Sequence, residues 1–338
     1  MTSRDRGRWS DRLQRLQQRS LVMQSLRYSL GAQGFLEIET PILVPRTTSD
    51  WHLDSFEVSG GNQFWGYLTT STEYQIKRLM VGGFQKLFTL TKNFRVGDRG
   101  NWHSQEFTML EWAEVGASLA QIEQYACEAV LACFQTLFPG QQTLVYQGNF
   151  VDLRKPWDSM SVQEAFEFYL GFKNLRCFSL EDLQEACRCA CWEVPEVLFQ
   201  DQSLLISFLL DQVQPFLGRK KPLFLTHWPL WMTASAGSQK NDGSFADRSE
   251  LYIAGIELSD GFSFLTDPVI QEIAFQKAMD YRKALGRPGV ALDYRYLEAL
   301  KEGLPEGAGM ALGVDRLVML LTDATHISEV QAFDWDEL

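Results

Sequence analysis

Residues 87–112 constrain the fold of this chain more than any other stretch. Leu87, Thr89, Thr91 and Asn93 alternate with Phe88, Leu90, Lys92 and Phe94; Phe107, Met109 and Glu111 alternate with Thr108, Leu110 and Trp112. Period-two alternation on both sides of a polar segment holding Gly97 and Gly100 predicts two antiparallel strands joined by a long loop. The cargo of that loop is unusual, because Arg95, Arg99, His103, Glu106 and Glu111 lie at or near the turn, beside Phe107. Guanidinium groups suit phosphates and an aromatic ring suits a base, so the hairpin is a candidate nucleotide site. A solvated charged loop is the competing reading of the same residues.

Around the hairpin the periodicity changes. Apolar residues at Leu13, Leu16, Leu21, Met23, Leu26 and Leu30 predict a helix over 13–32, ended by Gly31 or Gly34. Residues 35–45 are strand-like, with Pro41 limiting them to an edge or a bend. Segments 52–58 and 64–70 read as further strands, and Thr72 as the N-cap of a short helix ending at Gly82 and Gly83. Residues 118–217 turn mainly helical, with caps at Ser118, Ser161 and Ser179. Strand character returns at 222–228 and 250–264, helices follow at 269–285 and 294–301, and a small-residue strand from Gly307 runs into a helix opened by Asp315 and Arg316. Strands, then helices, then strands again predict an α+β domain with a largely antiparallel sheet flanked by helices, not a βαβ alternation.

With 338 residues, 45% of them hydrophobic, the chain has ample material for a core, and no apolar run approaches the roughly 20 residues of a membrane span. The start is basic and lacks the apolar core of a signal peptide, so the chain is expected to be cytoplasmic. A net charge of −12 argues against broad nonspecific binding of nucleic acid. Cys187, Cys189 and Cys191 mimic a metal motif but lack a nearby histidine or a second pair. They lie in a helical pattern with Leu183 and are expected to be ordinary buried thiols; no zinc and no disulfide is assigned to them or to Cys127, Cys133 and Cys177.

Three separated segments carry a resemblance. Gly34 to Pro41 resembles the first signature motif of the class II aminoacyl-tRNA synthetases, Phe94-Arg95 with His103 and Glu106 to Glu111 the second, and Gly309 to Leu317 the third. Residues 70–79 and Gly255 to Leu258 are similar to the lysyl branch. The roughly thirty residues before Gly34 are too few for the anticodon-binding barrel of a lysyl-tRNA synthetase. A free-standing core with Ala311 in the third motif resembles the elongation factor P–(R)-β-lysine ligase family. The resemblance implies one class II synthetase-like catalytic domain over residues 1–338, with 118–217 as a helical support block, no anticodon-binding domain and a homodimer.

It also implies a chemistry. ATP and Mg²⁺ would be used to activate (R)-β-lysine, or a lysine-like amino acid, as an adenylate for transfer to a lysine of elongation factor P. Arg95, Glu257 and Arg316 would be catalytic. Arg95 would hold the substrate carboxylate and the α-phosphate, Phe107 would stack on adenine, and Arg316 would hold the far side of the nucleotide. Asp98, Arg99 and His103 would complete the ATP site, and Glu250 and Glu257 would carry the metal. Ser71 and Glu73 would meet the substrate amine and Glu111 its distal ammonium, with Asp260 and Gly313 lining the same side. The departures from the family are Gly97 where it has an adenine-contacting acid, Asn101 for an arginine, Ala113 for an aromatic hydroxyl, Asp260 for an asparagine and Phe264 for an acid. They keep open a paralogue with another amino acid or acceptor, and a non-catalytic amino-acid or nucleotide sensor.

Overall fold

The computed structural model describes residues 3–173, 175, 178–239 and 243–338, which fall into two compact units. Met1–Gln141 with Phe264–Leu338 form the first unit, and Gln142–Ser263 form the second. The first unit opens with α1 (Ser3–Ala32), β1 (Leu36–Glu37), β2 (Leu43–Val44), β3 (Glu57–Gly60), β4 (Gln63–Leu68), α2 (Glu73–Val81), β5 (Lys86–Phe94), β6 (Glu106–Val115) and α3 (Leu119–Leu137). The second holds β7 (Thr143–Tyr146), β8 (Asn149–Asp152), β9 (Asp158–Ser161), α4 (Val162–Leu170), α5 (Leu180–Cys189), α6 (Glu196–Phe199), α7 (Gln202–Val213), β10 (Leu223–Pro229), β11 (Phe245–Ile253) and β12 (Ile256–Ser263). The first then resumes with α8 (Pro268–Ala284), α9 (Tyr294–Gly303), β13 (Gly307–Gly313) and α10 (Val314–Leu321).

The expected hairpin is the centre of the first unit. β5 and β6 pair antiparallel from Lys86↔Glu114 to Phe94↔Glu106, and β13 adds antiparallel to β6 from Gly307↔Val115 to Gly313↔Met109. Strand alternation then sorts the residues by face: Thr89, Asn93, Phe107, Glu111 and Ala113 share one, while Phe88, Thr108, Leu110 and Trp112 share the other. α1 packs against α3, with Val22, Leu26 and Leu30 fully buried and Cys133 Sγ donating to the Val22 carbonyl. The helix starts well before Leu13, where its apolar period begins.

Segment 35–45 is not one strand. Pro41 has no N–H for a ladder, and only Leu36–Glu37 and Leu43–Val44 pair: β1 lies parallel to β5 at the sheet edge, and β2 lies antiparallel to β4. The strand expected at 52–58 begins only at Glu57, because the backbone before it serves side chains instead. Arg282, 2% exposed, donates to the carbonyl of Leu53 at 2.7 Å and ion-pairs with Asp54, while Arg287 donates to the His52 carbonyl at 2.9 Å.

In the second unit, Phe166, Phe172, Phe178, Leu205, Leu209 and Leu225 form a closed apolar core. Helix caps fall as the sequence predicts: Ser118 and Ser179 each accept a bond from the first turn of α3 and α5, and Ser161 forms a capping box with Glu164 on α4. The stretch expected to be mainly helical also contains β7, β8 and β9. The strand expected at 250–264 is a hairpin, β11 and β12, turning at Ala254 (φ 53°) and Gly255 (φ 80°). Two successive left-handed residues make a tight primed turn that a run of apolar residues conceals. Cys127, Cys133 and Cys187 are buried, but Cys189 and Cys191 are exposed at the end of α5, contrary to expectation, because the amphipathic stripe ends at Cys187. Cys177 lies outside the described residues.

Candidate active site

In the first unit the candidate residues gather on one face of β5 and β6. The Arg95 guanidinium lies 5.0 Å from the centroid of the Phe107 ring, a cation–π distance. The Arg95 backbone is fixed by its N–H to the Gln105 carbonyl, 2.9 Å, and the next residue by Val96 N–H to the Asp54 carbonyl, 2.8 Å. Arg95 Nε is buried and has no hydrogen-bond partner among the described residues, so it is a donor available to an anion. Beyond it Gly97 has φ +83°, a conformation that the acid expected from the family would strain, and its N–H donates to Gln105 Oε1 at 3.2 Å. Asp98 is half-buried and Arg99 exposed on the loop.

Arg316, in the first turn of α10, folds onto the same loop. Its Nε donates to the Trp102 carbonyl at 3.2 Å and its Nη2 lies 2.7 Å from His103 Nε2. A guanidinium can only donate, so this bond takes the lone pair of His103 Nε2 and leaves the imidazole proton on Nδ1. Arg316 and His103 are therefore brought together. Gly313 stands at the end of β13, opposite Met109, as the N-cap of α10.

Glu111, two turns of the pleat from Phe107 on the same face, is 4% exposed and heavily solvated by protein. One oxygen accepts from Ser71 Oγ at 2.5 Å; the other accepts from the Thr72 N–H at 2.8 Å and Thr72 Oγ1 at 2.6 Å. Burial raises its pKa, opposed by these bonds and reinforced by the charge of Glu73. Thr72 does precede α2, but its hydroxyl makes no cap bond; it is committed to Glu111 and to Thr89 Oγ1, 2.8 Å away. Ser71 and Glu111 thus meet, whereas Glu73 turns to Lys77, whose Nζ is 2.7 Å away. Lys77 is 1% exposed and sits 5.1 Å over the Phe264 ring. That ring fills the space left by Gly307 and Gly309, which face Val115 and Ala113. Lys77 was missed by sequence reasoning, although its i,i+4 spacing from Glu73 on a short helix is a readable signal.

The second unit carries the other candidates on one face of β11 and β12. Glu250 stands opposite Asp260, and Tyr252 opposite Glu257. Arg248, a residue the sequence reading passed over although it is two positions from Glu250, binds both acids: Nη2 to Glu250 Oε1 at 2.6 Å, and Nε and Nη2 to the two oxygens of Asp260 at 2.8 and 3.1 Å. Tyr252 donates to the other oxygen of Glu250 at 2.5 Å. Burial pushes the Glu250 carboxyl up to about 8, with Arg248 pulling it down and Glu257 and Asp260 pushing it further up. Burial lowers the Arg248 pKa, but the carboxylates of Asp260 and Glu250 more than offset it and hold the guanidinium charged. Oxygen donors of this kind suit a hard divalent cation that keeps water and phosphate as its other ligands. Among the described residues there is no cluster of three or more ligating side chains, nor a helix long and apolar enough to cross a membrane.

Comparison with known proteins places these residues in context. Residues 5–336 match the family model described as tRNA synthetases class II (D, K and N). The chain is 34% identical over 330 residues to the elongation factor P–(R)-β-lysine ligase of Histophilus somni (strain 2336), covering 96% of each chain. It is 35% identical over 325 residues to the protein of that name from Pseudoalteromonas translucida (strain TAC 125), covering 94% of each. It is 33% identical over 326 residues to the one from Salmonella arizonae, covering 95% of each.

Proposed function

The chain belongs to the class II (D, K and N) tRNA synthetase family, and on that premise we propose that it is an ATP-dependent ligase that activates a lysine-like amino acid, (R)-β-lysine or a close relative, and transfers it to a lysine of an elongation factor P-type acceptor. One observation carries the reading: a half-buried arginine with an unused Nε donor lies over an aromatic ring on the same strand face as a buried carboxylate, Glu111. Cation, ring and carboxylate correspond to phosphate, base and ammonium.

An oxygen of the amino-acid carboxylate would attack the α-phosphorus of ATP, and the bond to pyrophosphate would break. The neutral amine of the acceptor lysine would then attack the acyl carbon, AMP would leave as the C–O bond breaks, and the amine would lose a proton. Arg95 and Arg316 would neutralise charge that grows on the phosphate oxygens, and Phe107 would hold the base. Ser71 and Thr72 keep Glu111 oriented toward an ammonium. Glu250 and Glu257 would hold Mg²⁺, which when bound offsets phosphate charge. Arg248 and Tyr252 already engage both oxygens of Glu250, so they would orient it.

Both units lie within the matched stretch, and we read them as one catalytic domain with 118–217 as its helical support. A cytoplasmic homodimer is the assembly this reading takes, supported by exposed apolar residues on α1 and the segment after it: Leu13, Tyr28, Leu36, Ile42 and Leu43. A second reading, a smaller or less cationic amino acid, is favoured by Phe264 beside Lys77 and by Ala113, since neither offers a partner to a distal ammonium. ATP–pyrophosphate exchange across a panel of amino acids, followed by transfer to the acceptor, tests both. Exchange with none of the panel overturns the proposal; strong preference for (R)-β-lysine rejects the second reading.

A further inference from the structure

Three arginines on one face of α1 each reach an acid near the end of the chain. Arg12 pairs with Glu337 at 2.7 Å, Arg15 with Glu329 at 2.5 Å and Arg19 with Asp315 at 2.8 Å. Their i, i+3 and i+7 spacing puts them in one row. The first two grip the segment that braces the hairpin loop, where Ile327 N–H donates to the Asn101 carbonyl at 2.8 Å and Gln331 Nε2 to the Glu106 carbonyl at 3.1 Å.

Arg19 goes deeper. Its Nη1 donates to Asp315 Oδ1 and its Nη2 to Thr108 Oγ1 at 2.9 Å, while the Thr108 N–H donates to Asp315 Oδ2 at 2.6 Å. In this ring of three bonds Asp315 is 2% exposed and Thr108 is buried, while Arg19 reaches them from the surface with its side chain 12% exposed. Thr108 follows Phe107 in β6 and points to the opposite face; Asp315 precedes Arg316 in α10. The ring therefore ties the strand that carries Phe107 to the helix turn that carries Arg316, from behind the candidate site.

We propose that Arg19 is a positioning residue for nucleotide binding: by holding Asp315 and Thr108 together it sets the spacing between Phe107 and Arg316. The inference rests on the reading of those two residues as a nucleotide site. The planar guanidinium sets its two Nη atoms on Asp315 and Thr108 in a fixed fork; a lysine ammonium also has several donors, but they radiate from one nitrogen on a shorter stem, so lysine is a poor substitute.

The intact protein, Arg19→Lys, Thr108→Val and their double variant are compared with Arg27→Ala, which removes an exposed ion pair of the same helix, with Glu37, and touches neither the ring nor the brace of the hairpin loop. Titration calorimetry gives the Kd for Mg-ATP and for the amino acid, and thermal unfolding reports folding. Arg19→Lys is expected to weaken ATP binding about tenfold, as for members of one hydrogen-bonded network, with Thr108→Val weaker in effect and the two non-additive. Amino-acid affinity should stay unchanged, and Arg27→Ala should leave both affinities unchanged. If Arg19→Lys and Thr108→Val lower the Tm but leave ATP affinity intact, Arg19 is merely structural and the proposal fails. A wild-type chain that binds no ATP overturns the nucleotide reading itself, a separate outcome.

Discussion

The Arg95 guanidinium stacks on Phe107 at 5.0 Å, so the two groups that would clasp a nucleotide already clasp each other. The backbone holds the arginine there from both sides, through Gln105 and Asp54. A base entering beside Phe107 would find the cation in place rather than having to order a long side chain.

Replacing Arg95 should therefore abolish the proposed activation step. Arg95→Ala is expected to lower ATP–pyrophosphate exchange by about 10²-fold or more, the range seen when one preorganised charge-stabilising donor is lost. Phe107→Ala should act mainly through the KM for ATP. Exchange that persists undiminished in Arg95→Ala would remove the hairpin from the mechanism.

Thr72→Val should destabilise the protein, by about 1–3 kcal/mol, because a buried carboxylate oxygen of Glu111 loses one of its donors while keeping the Thr72 N–H. Thr72→Ser should not. The effect should depend on pH. Burial raises the Glu111 pKa above its unfolded value, so its protonated form favours folding, and that contribution is lost as pH rises through the folded value. Urea unfolding should then show the largest gap between Thr72→Val and wild type near neutrality, shrinking as pH falls and Glu111 protonates. A gap that does not change with pH contradicts this assignment.

Glu329 has the opposite sign. Burial raises its pKa, but the His326 N–H, the Thr325 hydroxyl and Arg15 together pull it below the usual carboxylate value. Its contribution is present above the unfolded pKa and is lost as pH falls through the folded one. The side chain is almost one-third exposed, so the size should be about 1 kcal/mol or less. In urea titrations from pH 7 to 4, Glu329→Gln should flatten part of the wild-type decline; parallel curves would contradict the idea.

Gly255→Ala tests the β11–β12 turn. The residue has φ +80°, and an added Cβ would come 3.0 Å from the Pro215 carbonyl oxygen. The expected cost is about 1–3 kcal/mol, read as a lower urea midpoint. Ala254 is also left-handed, with φ 53°, so its change to glycine, which removes the Cβ that this conformation disfavours, should leave stability unchanged or slightly higher.

Much of the hairpin could be read from the chain. Period-two alternation gave its two strands and the face on which Phe107 and Glu111 stand together, and the serines at 118, 161 and 179 marked helix starts where they cap them. These are local signals, since a strand pleat or a helix turn is set by residues within a few positions of each other. The candidate site was legible as a set of residue types, and Arg95 with Phe107 and Arg316 with His103 do meet.

What tertiary structure alone decided is which acceptor each polar side chain serves. Nothing near Thr72 indicates that its hydroxyl leaves the helix for Glu111, 39 residues away. Arg282 gives no sign that it will hold the backbone of 51–54 and so delay a strand. Arg19 and Asp315 are separated by 296 residues. A buried carboxylate or guanidinium must find partners wherever the fold brings them, because leaving it unpaired costs several kcal/mol. Sequence set the strands and their faces through local sterics and hydrophobic period; the closed core set the partners through the penalty on unmet charge.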